Sequence, residues 1–196
     1  MQPSATAEQP SKTRGLNLLL PKPLDWGLGS RRLSLLKEMI MAKKYYLAYG
    51  SNLNLGQMLV RCPNAKVVGI SEIPNYRLLF KGSKTGAYLT IEPCKGESVP
   101  VAVWQVTKED EQALDHYEGY PNFYYKKELK VQKIGFQSRN EEINAFVYIM
   151  HEERQLGIPS KRYVKVCLEG YKAFSFNKQK LNDAYILSLE NYCNER

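Results

Sequence analysis

From Lys44 onward the apolar residues fall in short runs, some unbroken and some alternating with polar ones, and polar turns cut them apart. Tyr45–Ala48, Ala65–Ile70, Tyr76–Phe80, Ala87–Ile91 and Val99–Val106 read as strands, with Pro100 tolerable near the start of the last. Glu72-Ile73-Pro74-Asn75 separates the second run from the third, Lys81–Gly86 reads as a turn, and Glu92–Ser98 reads as a polar loop. Tyr124–Lys133 and Ile143–Met150 alternate well enough to pair as a hairpin around Gly135–Asn140. A helical period replaces the strand pattern over Thr107–Glu118, from about Ser160 to Phe174, and from Lys178 to Tyr192. Thr107 and Asp110 stand at capping-box spacing, and Asn177 is placed to cap the last helix. Strands outnumber helices and do not alternate regularly with them. The expected fold is α+β, with a mixed, barrel-like β-sheet and a few packed helices.

Residues 1–40 do not share this pattern. Gln2–Pro10 has a composition that favours disorder. The brief run Leu16–Leu20 ends in Pro21 and Pro23, which fits neither a membrane span nor a secretory signal. Met41 leads straight into the first strand and reads as a second start, with purine-rich codons expected for Lys37-Glu38 just upstream. The expectation is a disordered or non-native extension over residues 1–40 and one domain over 41–196. The alternative is a tail carrying a short amphipathic helix around Arg31–Ile40.

The net charge of +8 narrows function little, because +3 belongs to residues 1–40 and the remaining +5 is spread without a dense basic run. The tyrosines lie in apolar strand patterns, so no nucleic acid is expected as a partner. Cys62, Cys94, Cys167 and Cys193 are far apart, and His116 and His151 are the two histidines. That gives neither metal-ligand spacing nor a compact disulfide framework, so no metal is expected, and free thiols point to a cytoplasmic protein.

Two places carry chemistry. The first is Tyr49-Gly50-Ser51-Asn52-Leu53, where an apolar strand runs into a glycine turn and a helix begins at Asn54–Leu59. Gly50 permits a left-handed or otherwise cramped backbone, and Ser51 and Asn52 are good N-cap residues. Such a turn forms a pocket for an anion or a polarised carbonyl; equally, it is an ordinary strand-to-helix connection.

The second is Glu118. Gly119 and Pro121 stop the preceding helix, which places Glu118 in the last turn, where the helix dipole disfavours a negative charge. It lies four residues after Leu114 and so shares the apolar face. A carboxylate there should have a raised pKa and suit proton transfer near neutrality. The alternative is that Glu118 reaches solvent or pairs with Lys126 or Lys127.

Together, Tyr49-Gly50-Ser51-Asn52-Leu53 and Glu118-Gly119 resemble the signature of the gamma-glutamylcyclotransferase-like superfamily. The likeness extends through Ala87–Ile91, Val101–Trp104, Tyr125 and Pro159–Tyr163, covering roughly Lys43 to Phe174. The segment Tyr120–Tyr125 is most similar to small bacterial members. The resemblance implies cleavage of a γ-glutamyl amide by attack of its own α-amine, giving 5-oxoproline and a free amine or amino acid without a cofactor. It assigns Glu118 as general acid and base, and Tyr49, Gly50, Ser51, Asn52 and Leu53 as substrate-binding, with backbone N–H groups of Gly50–Leu53 holding a carboxylate or oxyanion. Tyr125 and Tyr163 would orient the glutamyl head.

Ser51 as a nucleophile is the weaker reading, since no G-x-S-x-G elbow surrounds it and neither histidine is an evident base. The leaving-group side is expected to depend on loops Lys81–Gly86 and Tyr120–Tyr124. The partner implied is a small γ-glutamyl substrate, with no membrane. A non-catalytic ligand-binding module on the same fold is the alternative. The oligomeric state is not readable.

Overall fold

The computed structural model describes residues 44–83, 86–136 and 139–194, all within one compact unit, Glu38–Arg196. The expectations for residues 1–40 and for a start at Met41 lie outside the described residues.

Five strands close into a barrel in the order β1, β3, β2, β4, β5. Their ranges are β1, Lys44–Ala48; β2, Lys66–Ser83; β3, Gly86–Val106; β4, Tyr124–Gly135; and β5, Glu141–Met150. Every neighbouring pair is antiparallel except β1 with β5, which meet in parallel at Tyr46 and Phe146 and complete the ring. Unbroken apolar stretches such as Val101-Ala102-Val103 and Val147-Tyr148-Ile149-Met150 are buried throughout. The fold class is the α+β, barrel-like one expected.

The strands are longer than the hydrophobic runs suggested. Residues expected to be two strands form β2 without a break, paired with β3 from Lys66 opposite Gln105 to Ser83 opposite Gly86. Irregular register at Val67/Gly69 and Pro74/Tyr76 absorbs Pro74, which has no N–H to give the ladder. The polar Glu92–Ser98 likewise continues β3, because its backbone partners lie on β2 whatever its side chains do.

Among the described residues, four helices and one short turn flank the barrel. Helix α1 is Leu55–Arg61, α2 is Lys108–Glu118, α3 is Lys161–Ala173 and α4 is Gln179–Asn194. Thr107 and Asp110 form the expected reciprocal cap of α2, and Asn177 accepts from the Gln179 N–H at 3.0 Å before α4. The cap of α1 is Asn54, whose side chain accepts from Gln57 N–H at 3.1 Å. This corrects the expectation for Ser51 and Asn52: with Leu53 they form a single 3-10 turn, closed by Leu53 N–H on Gly50 O and Asn54 N–H on Ser51 O. Helix α3 lies directly on that turn. A Cβ at Gly170 would fall 2.3 Å from Leu53 Cβ, so only glycine allows the approach.

Candidate active site

Glu118 closes α2, and Gly119 follows in the left-handed conformation at φ 64°, as a helix end of this type requires. Tyr120 N–H then reaches back to Asp115 O at 2.9 Å. Lys126 does not neutralise Glu118: it is held by Glu111 and Asp115, while Lys127 donates to Tyr76 Oη. The Glu118 carboxylate instead meets the turn. Asn52 Nδ2 donates to Glu118 Oε1 at 2.7 Å and to Tyr46 Oη at 2.8 Å.

Arg61, in the last turn of α1, fixes that amide. Its guanidinium lies over the Tyr117 ring, 3.5 Å from the centroid, and donates to Asn52 Oδ1 and, at 2.5 Å, to Gln57 Oε1. A guanidinium can only donate, so the Asn52 carbonyl must face Arg61 and its NH2 must face Glu118. Glu118 Oε1 is thereby kept as an acceptor. A proton taken up by Glu118 is directed to Oε2.

Burial raises the Glu118 pKa from about 4.5 to about 7, against the opposing pull of the Arg61 charge and then the Asn52 hydrogen bond. The residue is half-buried and lines two adjoining cavities. The inner one has about 20 Å³ of free space, enough for one water-sized group. Tyr46, Tyr49, Gly50, Asn52, Leu89 and Tyr148 line it. The outer groove, about 420 Å³, is walled by Tyr88, Tyr117 and Phe123, with His116 and Gly119 at its margin. Ser51, Glu118, Tyr124 and Tyr163 border both.

The tyrosines are pinned by their hydroxyls. Tyr49 donates to Tyr148 O at 2.6 Å, and Tyr148 to Asp115 Oδ1 at 2.6 Å. Leu89 N–H donates to Tyr163 Oη at 3.1 Å, while Tyr124 donates to Leu89 O at 2.8 Å. Burial, with the Glu118 charge adding to it, holds Tyr46, Tyr49, Tyr124 and Tyr163 well above the ordinary phenol range. They are hydrogen-bonding phenols and not bases at neutral pH.

The structure brings Tyr49, Gly50, Ser51, Asn52, Glu118 and Tyr163 together from three separate stretches of the chain. It places two expected residues elsewhere. Leu53 is fully buried against α3, and its N–H is spent on Gly50 O, so it offers the cavity nothing. Tyr125 faces away from the cavity, donating to Glu152 Oε1 at 2.6 Å and packing on His151. Successive strand residues alternate sides, and Tyr124 takes the inward place. Gly50 is not left-handed, with φ −112° and ψ −135°. Its need for glycine is space, because a Cβ there would lie 3.3 Å from Tyr163 Oη. Ser51 Oγ stands 3.4 Å from Tyr117 Oη, with no imidazole partner given by the described residues.

Sequence reasoning missed Tyr46 and Arg61, and it named Tyr124 only within the leaving-group loop and not among the residues orienting the glutamyl head. The spacing of Gln57 and Arg61, four apart on one helix face, was the available signal for Arg61. Strand parity was the signal for Tyr124, but Phe123-Tyr124-Tyr125 leaves the choice open without a register. On the leaving-group side Phe123 and Tyr124 do border the groove, whereas Lys81 is buried beside Glu92 and the carbonyl of Glu152. Lys84 and Thr85 lie outside the described residues.

A family model for gamma-glutamyl cyclotransferase, AIG2-like, matches residues 46–165, more than half of the chain. The chain belongs to this family. The match spans both the Gly50–Leu53 turn and Glu118 and ends two residues past Tyr163. The human gamma-glutamylcyclotransferase is 30% identical over 135 residues, covering 65% of this chain and 69% of that protein. The bovine gamma-glutamylcyclotransferase is 29% identical over 134 residues, with the same coverage. A solved gamma-glutamyl cyclotransferase superposes with a TM-score of 0.63 at 26% identity, over 72% of this chain and 86% of that one. The protein is therefore a gamma-glutamylcyclotransferase-like enzyme. Among the described residues, no helix is long and apolar enough to cross a membrane.

Proposed function

We propose that this cyclotransferase cleaves a small γ-glutamyl amide by internal attack, with Glu118 as the group that moves the protons. The observation that carries the reading is one carboxylate, held at a pKa of about 7, between a one-oxygen cavity and an open groove. The nucleophile is tethered in the substrate, so holding the glutamyl chain in its cyclising shape supplies much of the rate. Glu118 takes a proton from the α-ammonium, and the neutral amine adds to the γ-carbonyl. A C–N bond forms in the five-membered ring, the original amide C–N bond breaks, and the leaving nitrogen receives the protons that the ammonium lost. No water is consumed.

The inner cavity suits the oxygen that becomes negative during addition. Ser51 and Asn52 begin the 3-10 turn, so their N–H groups have no acceptor inside it and support that assignment. Tyr163 and Tyr124, fixed on Leu89, are placed to orient the glutamyl head. Arg61 acts as a positioning residue through Asn52. Incubation with a panel of γ-glutamyl amino acids and γ-glutamyl amines, with 5-oxoproline as the readout, tests the reading. Binding without 5-oxoproline from any member would leave only a ligand-binding module.

A further inference from the structure

We infer that the outer groove selects a leaving group that is apolar, ring-bearing and free of carboxylate, an inference that rests on the γ-glutamyl reading above. The groove is an aromatic trough. Tyr88 packs edge-to-face against Phe123 at 6.2 Å and against Tyr163 at 5.1 Å between centroids, and Tyr117 lies on the same rim. Rings in such a trough take a further ring edge-on or offset. Its volume of about 420 Å³ falls in the range of small-molecule sites.

A carboxylate is poorly served there. Among the lining residues no Lys or Arg occurs, and the one ionisable acid is the base Glu118. A leaving amino acid would bring a second negative charge beside that carboxylate with no Lys or Arg among the lining residues to receive it, and an unpaired charge in a partly desolvated groove is costly. Two guanidiniums stand near the groove without being among its lining residues. Arg61 lies against the Tyr117 ring and donates from its two terminal nitrogens to Asn52 and Gln57. Arg154 stacks on Phe123 at 4.1 Å and donates to Asn122 O. His116 is the one imidazole among the lining residues.

The test is a matched pair differing by one carboxylate: γ-glutamyl-phenethylamine and γ-glutamyl-phenylalanine, compared by kcat/KM for 5-oxoproline release. The amine is expected to be preferred at least fivefold; for the ring, γ-glutamyl-phenethylamine is expected to be preferred over γ-glutamyl-ethylamine, and Phe123→Ala is expected to shrink that second ratio. The ratio is internal to each preparation, so a loss of folded protein cancels. A smaller or reversed preference in the parent enzyme overturns the inference while 5-oxoproline release leaves the cyclotransferase reading standing. A reversed preference would also point to Arg154 as a carboxylate partner. A phenethylamine-to-ethylamine ratio unchanged in Phe123→Ala overturns the ring contact. No 5-oxoproline from this pair or from any γ-glutamyl amino acid would sink the reading itself, and the inference with it.

Discussion

Glu118 feels burial pushing its proton on and Arg61 with Asn52 pulling it off, and burial wins. Its carboxyl, ordinarily near 4.5, titrates near 7 in the folded protein, so the folded state holds the proton more tightly than the unfolded chain. The stability this group contributes is complete below about pH 4.5 and is lost as the pH rises through about 7. Glu118→Gln escapes that loss. It is expected to be more stable than the parent at pH 8, by up to about 3 kcal/mol, with the gap closing towards pH 4.5. Urea unfolding at the two pH values measures this. The same variant should lose 5-oxoproline formation by roughly 100-fold or more, and undiminished turnover would remove Glu118 from the mechanism.

Arg61→Met removes the cation that lowers the Glu118 pKa, so the acid limb of kcat/KM should move to higher pH. Arg61→Lys keeps the charge without the fork. It should leave that limb nearly in place while kcat falls by roughly tenfold, as expected for one lost charge-assisted hydrogen bond. A pH–rate profile of both variants separates these effects. A merely structural Arg61 would lower the melting temperature without moving the limb.

At the scale of elements, the site is a junction of helix ends. The start of the 3-10 turn, the last turn of α1 and the end of α2 converge, and α3 braces them through Gly170 against Leu53. Gly170→Ala would place Cβ 2.9 Å from the Leu53 carbonyl carbon, a backbone atom that cannot turn aside. The expected outcome is a destabilisation of about 1–3 kcal/mol, typical of overpacking, together with a fall in kcat/KM larger than the loss of folded protein explains. Circular dichroism melts and initial rates on the same samples check it. The cap of α2 and its glycine stop were legible in Thr107, Asp110 and Gly119, because capping is a local matter of a few residues. The cap of α1 was misplaced by two to three residues, because Ser51, Asn52 and Asn54 are all good caps and only the course of the chain chooses among them.

The barrel is closed by one parallel meeting of β1 and β5, where Tyr46 stacks on Phe146 at 5.4 Å. Tyr46 also receives the Asn52 amide, so closure of the whole molecule and the site share a side chain. Phe146→Ala is expected to cost about 3–5 kcal/mol and to weaken activity in the protein that still folds, measured by urea unfolding and by kcat/KM at a temperature well below the melt. The chain by itself determined the strand-rich α+β class, the glycine stop that puts Glu118 on a buried face, and the turn at Gly50–Asn52, because hydrophobic period, capping and backbone freedom act over a few neighbouring residues. Tertiary structure alone decided that Glu118 and Asn52, 66 residues apart, share a hydrogen bond. It also decided that Arg61 orients that amide and that Tyr124 faces the cavity where Tyr125 does not. These depend on strand register and barrel closure, which sum many weak contacts distant in the chain and leave no mark in any single stretch of it.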